Sequence, residues 1–166
     1  MRFCSFALIL FAGLAGPSGW VSTAAEVSLV QSTNSWHMRK GRSAVPAGWK
    51  TASDSALDTS WAVARGGFGY SDSAGETAGC ATLLTDMRNS YTSVAIRRSF
   101  EVTEVPAPDA RLYLTLDWDD GFIAFLNGEF LVSHNVTGQP AEPAFDARAS
   151  DTHESSRGDS NRNEPV

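Results

Sequence analysis

A chain of 166 residues with 42% apolar and 19% charged side chains can bury one hydrophobic core, and it is too apolar to be disordered throughout. Its formal charge of -6, from 13 Lys and Arg against 19 Asp and Glu, excludes nucleic acid or an anionic membrane as the main partner. Both need clustered cations, and no basic run is longer than Arg39-Lys40 or Arg97-Arg98.

Arg2, the apolar run 3–15 and the small residues Thr23-Ala24-Ala25 predict a signal peptide over residues 1–25. The alternative, an uncleaved anchor helix, is disfavoured by Gly13, Gly16 and Pro17, which break the run early. The expected location is therefore secreted, either extracellular or periplasmic, with no membrane attachment after cleavage. Cys4 falls inside the signal, which leaves Cys80 without an internal disulfide partner. Its neighbours Gly79, Ala81 and Thr82 include no base, so Cys80 reads as structural.

Residues 27–31 predict the first strand of the mature chain. Trp36 and Trp49 then bracket a basic loop with a turn at Pro46-Ala47-Gly48. From 51 to 79 the chain is rich in Ser, Gly, Asp and Ala. It reads as long ordered loops pinned by Leu57, Trp61, Val63, Phe68 and Tyr70. Strand character returns at 82–84 and at 94–102, where Ile96, Phe100 and Val102 share one face. After Pro106-Ala107-Pro108-Asp109, residues 112–118, 122–126 and 130–133 predict a three-stranded antiparallel meander. Its turns fall at Asp119-Asp120-Gly121 and Asn127-Gly128. Leu112, Leu114, Leu116 and Trp118 alternate with Tyr113, Thr115 and Asp117, as on a sheet with one buried face. The run 122–126 is apolar on both faces and is expected to sit centrally. No helix longer than a turn or two is expected in the mature chain.

Beyond Phe145 the large apolar residues run out, and residues 149–166 read as a disordered polar tail. The expected organisation is a signal peptide at 1–25, a β-domain at 26–148 and the tail at 149–166.

The order Asp119-Asp120-Gly121-Phe122, an apolar strand, then Asn127-Gly128 resembles the galactose-binding-domain-like β-sandwich modules of large secreted bacterial proteins. Trp36-His37-Met38-Arg39-Lys40-Gly41, Trp49, Asp58-Thr59-Ser60-Trp61, Gly67-Phe68-Gly69-Tyr70, Thr82-Leu83-Leu84 and Ile96-Arg97-Arg98-Ser99-Phe100 precede it in the family's order, so the likeness spans residues 35–154. It implies an all-β fold, an antiparallel sandwich or jelly roll. Members of the family continue into further strands where this chain turns polar, so an incomplete sandwich is expected. Either the gene product is truncated, or the missing C-terminal strands come from a protein partner.

Aromatic side chains pack on the apolar faces of sugar rings while polar neighbours orient the hydroxyls. Trp36, Trp49, Tyr70 and Asp72 are accordingly the candidate glycan-binding residues. Trp118, and with it Trp61, is assigned to the core. Asp119 and Asp120 hydrogen-bond their own turn or, in the functional alternative, supply oxygens to calcium, the one cofactor considered. Asn135-Val136-Thr137 is a glycosylation sequon only in a eukaryotic secretory route. His37, His134 and His153 lack the spacing of a metal site, and no hydrolase or phosphate-loop motif occurs, so no catalytic residue is assigned. Arg157-Gly158-Asp159-Ser160 matches an adhesion tripeptide in a segment expected to be solvated.

The expected function is a secreted, non-catalytic, carbohydrate-binding-like module, an accessory domain or fragment of a larger extracellular protein. The alternatives are a structural spacer or protein-interaction module that binds no sugar, and an accessory fragment of an extracellular hydrolase.

Overall fold

A computed structural model describes residues 5–12 and 25 by their backbone, and residues 26–71, 77, 80–137 and 143–156 in full. Among the described residues the structure has ten strands and a 3-10 turn, Asp54–Ala56. The strands are β1 Ser5–Ala12, β2 Ala25–Val30, β3 Ser35–Lys40, β4 Ala62–Arg65, β5 Phe68–Gly69, β6 Thr82–Leu83, β7 Val94–Arg97, β8 Arg111–Asp117, β9 Phe122–Leu126 and β10 Glu129–His134. The fold is β-rich, as the period-2 patterning requires.

The strands fall into four small sheets, in the orders β2-β1-β8, β4-β3-β7, β10-β9 and β5-β6. Among the described strands β5 and β6 pair in parallel and the other pairs are antiparallel. The largest departure from expectation is at the N-terminus. Residues 5–12, assigned above to the signal peptide, form β1, the central strand of its sheet. One edge of β1 pairs with β2 from Leu8↔Val30 to Ala12↔Ala25, and the other pairs with β8 from Ser5↔Asp117 to Phe11↔Arg111. A continuous apolar run fits a strand covered on both sides as well as it fits a helix, so hydropathy alone does not choose between them.

The meander is also corrected. β8 pairs with β1, whereas β9 pairs with β10 and with no other strand among the described residues. Asp120 adopts a left-handed backbone (φ 58°), and this turn carries the chain out of one sheet into another instead of folding it back alongside β8. The β9–β10 hairpin does form as the sequence predicts. Asn127 and Gly128 have φ of 52° and 88°, the pattern of a two-residue type I′ turn, and they join the pair Leu126↔Glu129.

Two clusters make the core. Val30, Trp36, Met38, Phe68, Leu84, Met87 and Tyr91 form the larger, with Tyr70, Ile96, Phe100 and Leu114 packed against it. Leu116 and Trp118 form the smaller, with Phe122. Alternation along β8 thus places Leu114, Leu116 and Trp118 inward, while Leu112 at its open end is 41% exposed. The segment 35–40, taken above as the start of a basic loop, is instead the central strand β3, and it delivers Trp36 and Met38 to the core. Residues 62–65 and 68–69, within the stretch expected to be loop, form β4 and β5.

The C-terminal segment differs from expectation as far as residue 156. Ser156 donates to Asp117 through its backbone N–H (2.8 Å) and its hydroxyl (2.7 Å), and the Asp120 N–H donates to the His153 carbonyl (2.9 Å). Polar composition argued for disorder there, but these bonds tether the segment without large apolar side chains. The Arg157-Gly158-Asp159 tripeptide lies outside the described residues.

Candidate functional site

An apolar cleft of about 790 Å³ opens between the sheet of β3, β4 and β7 and the β9–β10 hairpin. Every residue from 92 to 100 and every residue from 121 to 128 lines it. Side chains on a strand alternate between two faces, so an uninterrupted run of lining residues means that the strand edge, and not one face, borders the space. The pairing agrees. β7 bonds to β3 alone and β9 to β10 alone, so each leaves one edge without a strand partner among the described residues. All five side chains of β9 are apolar, yet only Ala124 is fully buried.

Trp36 is 8% exposed and forms part of the inner wall. Trp49 stands on the loop before the 3-10 turn and packs on Trp61, with ring centroids 5.5 Å apart. Trp61 is therefore half-buried against Trp49 and belongs to neither core cluster. Lys50 reaches from the same loop across β9, its Nζ lying 4.2 Å from the centre of the Phe125 ring. The segment 143–149 crosses one end of the cleft, where the Ser93 hydroxyl donates to the Phe145 carbonyl (2.5 Å).

Among the described residues, the charged groups lining the cleft are Arg39, Lys50, Arg97, Arg98 and Arg148. Arg39, 7% exposed, is held by the Ser60 hydroxyl (2.8 Å) and by the carbonyl and hydroxyl of Ser43 (2.7 and 2.8 Å). Ser60 in turn donates to Asp58, whose carboxyl is held below the usual range by the Ser60 hydroxyl and N–H and, more weakly, by Arg39. Arg97 donates to the carbonyls of Trp49 and Ala52 and pairs with Asp54 (3.1 Å), which fixes the Trp49 loop against β7. Arg98 donates to the Ser35 carbonyl, while its Nε is enclosed with no acceptor among the described residues. Arg148 is exposed.

The four candidate glycan residues are thus only partly gathered. Trp36 and Trp49 line one cleft; Tyr70 packs against the core and is not among the lining residues; Asp72 lies outside the described residues. Asp119 is 4% exposed. The backbone of Asp120 joins two segments, its N–H donating to His153 and its carbonyl accepting from Asn135 Nδ2 (2.7 Å). Asp120 thus serves the corner between β8 and β9 through its backbone. Among the described residues no group of three or more His, Cys, Asp or Glu side chains is gathered as a metal site needs. The amide nitrogen of the sequon residue Asn135 is engaged by that same bond. No sequence motif marks Lys50, Arg97, Arg98 or Arg148 as lining one space, and the one local signal is the pair Arg97-Arg98.

No helix among the described residues is long and apolar enough to cross a membrane. No protein-family model matches the chain, and neither does a curated protein or a solved structure.

Proposed function

We propose that this chain is a non-catalytic, exported β-sandwich domain that binds an extended polypeptide segment as an added strand in the cleft between β7 and β9. The observation that carries this reading is that β7 and β9 each border one apolar space with an edge that has no strand partner among the described residues. Buried or half-buried backbone N–H and C=O groups need partners, and a strand edge facing an apolar cleft supplies a ready template for another chain. Strand addition is an established mode of peptide recognition, with the backbone supplying affinity and alternate side chains supplying selectivity. An apolar two-sided strand such as β9, flanked on one side only among the described residues, fits a sandwich completed by a partner.

Carbohydrate binding in the same cleft is the second reading, and Trp36 and Trp49 on one lining favour it, with Thr51, Ser93 and Asn127 as polar neighbours. Hydrogen exchange separates the two. Octapeptides alternating valine with acidic, neutral or basic residues are expected to slow amide exchange at 94–97 and 122–126. A glycan would change Trp49 fluorescence while leaving those amides fast. Unchanged exchange with every peptide, together with binding on a glycan array, would replace the first reading with the second.

A further inference from the structure

Beside the cleft, and sharing Trp49 with it, lies a surface pocket of about 70 Å³. Its walls include Trp49, Trp61, Pro46, Ala47 and Leu57, and Asp58 stands among them as a carboxylate. Both tryptophans are half-buried and belong to neither core cluster, so their place here is not explained by core packing. Their positions are nevertheless fixed. Arg97 donates to the carbonyls of Trp49 and Ala52, and the Trp61 N–H donates to the Asp58 carbonyl (3.2 Å). Ser60 donates its N–H (2.8 Å) and its hydroxyl to Asp58 Oδ1, while the same hydroxyl accepts from the buried Arg39 (2.8 Å). Both walls are thus anchored to the sheet of β3 and β7, and a pocket formed before binding spares a ligand the cost of ordering it.

Aromatic faces attract cations, tryptophan most strongly, and Asp58 adds a negative charge at the rim. Lys50 shows the same preference within the chain, its Nζ lying 5.9 Å from the centre of the Trp49 ring and 4.2 Å from that of Phe125. Size narrows the ligand further. A space of about 70 Å³ holds about five water-sized groups, too few for a pyranose ring and enough for a nitrogen and its methyl groups. The Trp49 and Trp61 centroids, 5.5 Å apart, leave no gap between the rings, so such a group seats beside the pair. A bare ammonium loses a strong hydration shell on entry, whereas a methylated one meets Pro46, Ala47 and Leu57 with an apolar surface. Lys50 and Arg39 oppose a cation here, but Arg39 has the weakest hold on the Asp58 carboxyl, and the net charge of -6 draws cations at long range. We propose that this pocket binds a trimethylammonium headgroup, as carried by choline, at a site separate from strand addition.

The test titrates the full chain with choline, with ethanolamine, and with neohexyl alcohol, the uncharged isostere of choline in which carbon replaces nitrogen. Binding is followed by NMR at the indole N–H resonances of Trp49 and Trp61. Choline should bind about tenfold tighter than either, since ethanolamine keeps the charge without the methyl groups and neohexyl alcohol the reverse. Trp61→Leu should weaken choline binding about fivefold. Asp58→Asn keeps an oxygen for the Ser60 bonds and removes the charge, so it should narrow the advantage of choline over neohexyl alcohol by about twofold to threefold. Equal affinity for choline and neohexyl alcohol overturns the cationic ligand, and equal affinity for choline and ethanolamine overturns the methylated one. Unshifted indole resonances, or a choline affinity that neither variant changes, would overturn the site. Two results uphold it and separate the sources: co-sedimentation with phosphatidylcholine vesicles that Trp61→Leu abolishes assigns a lipid headgroup, and choline binding without co-sedimentation assigns a free compound. Failure of strand addition leaves this site untouched, because none of these probes is a polypeptide.

Discussion

His153 lies flat on Trp118, with ring centroids 3.5 Å apart and planes 9° from parallel, and its Nδ1 sits 3.1 Å from the Trp118 carbonyl oxygen. A residue from the polar C-terminal stretch thereby covers the smaller core cluster. His153→Ala should cost about 1 kcal/mol, the usual scale of such a ring pair. It should also speed amide exchange from 152 to 156. Asp117→Ala, which removes the acceptor of both Ser156 bonds, should cost about 2 kcal/mol. Differential scanning calorimetry with exchange mass spectrometry checks both, and unchanged exchange at 152–156 would show that the segment is held by something else.

Asp86 ties the end of β3 to the turn before Tyr91. Lys40 Nζ lies 2.7 Å from its carboxylate, Arg42 Nη2 also 2.7 Å, and the Tyr91 hydroxyl donates at 2.9 Å. The Lys40 bond, with smaller help from Tyr91 and Arg42, holds the Asp86 carboxyl far below its ordinary value, while desolvation opposes the shift. A carboxyl depressed in the folded state contributes stability at pH above its unfolded value and loses that contribution as pH falls below about 4. Tyr91 has the opposite shift. Burial first and the Asp86 bond second raise its hydroxyl well above the ordinary value. Its contribution is complete below about pH 10 and is lost as pH rises further. Asp86→Asn should flatten the acid limb of the melting temperature against pH, and Tyr91→Phe the alkaline limb. Limbs that stay as steep as in the unmodified chain would assign the pH dependence to other groups.

Gly128 has φ of 88°, and a Cβ built there would stand 2.8 Å from Thr51 Cγ2. A β-branched side chain is strained in this left-handed region and also meets Thr51. Gly128→Val should therefore cost about 1–3 kcal/mol. The substitution also disturbs the cleft, which both residues line. Urea denaturation measures the loss, and a midpoint within error of the unmodified chain would count against the turn.

A chain starting at Glu26 lacks β1 and leaves the facing edges of β2 and β8 without their partner. Such edges recruit other chains. This form should melt lower and show concentration-dependent light scattering relative to the full chain. N-terminal sequencing of protein recovered after export then tells which form persists. A stable monomer beginning at Glu26 would show that the fold does without β1.

Local chemistry carries what the sequence determined by itself. Asn127-Gly128 specifies its hairpin because only residues tolerant of positive φ close a two-residue type I′ turn, and both requirements lie inside one dipeptide. Leu114, Leu116 and Trp118 announce the buried face of β8 in the same way, by spacing within one strand. Tertiary structure alone decided which strands become neighbours. Nothing within 5–12 says that the segment will lie between β2 and β8, since an apolar run satisfies a helix, a membrane or a central strand equally. Nothing within 122–126 says that one edge of β9 will face a cleft, because pairing depends on partners far away in the chain. The grouping of cations along the cleft is of the same kind. Lys50, Arg98 and Arg148 are separated along the chain and come together only when β7, β9 and the crossing segment 143–149 enclose one space. The docking of His153 and Ser156 shows the converse limit of composition. A segment poor in apolar residues is expected to stay solvated, yet a stacked ring and a buried carboxylate on a distant strand hold it in place.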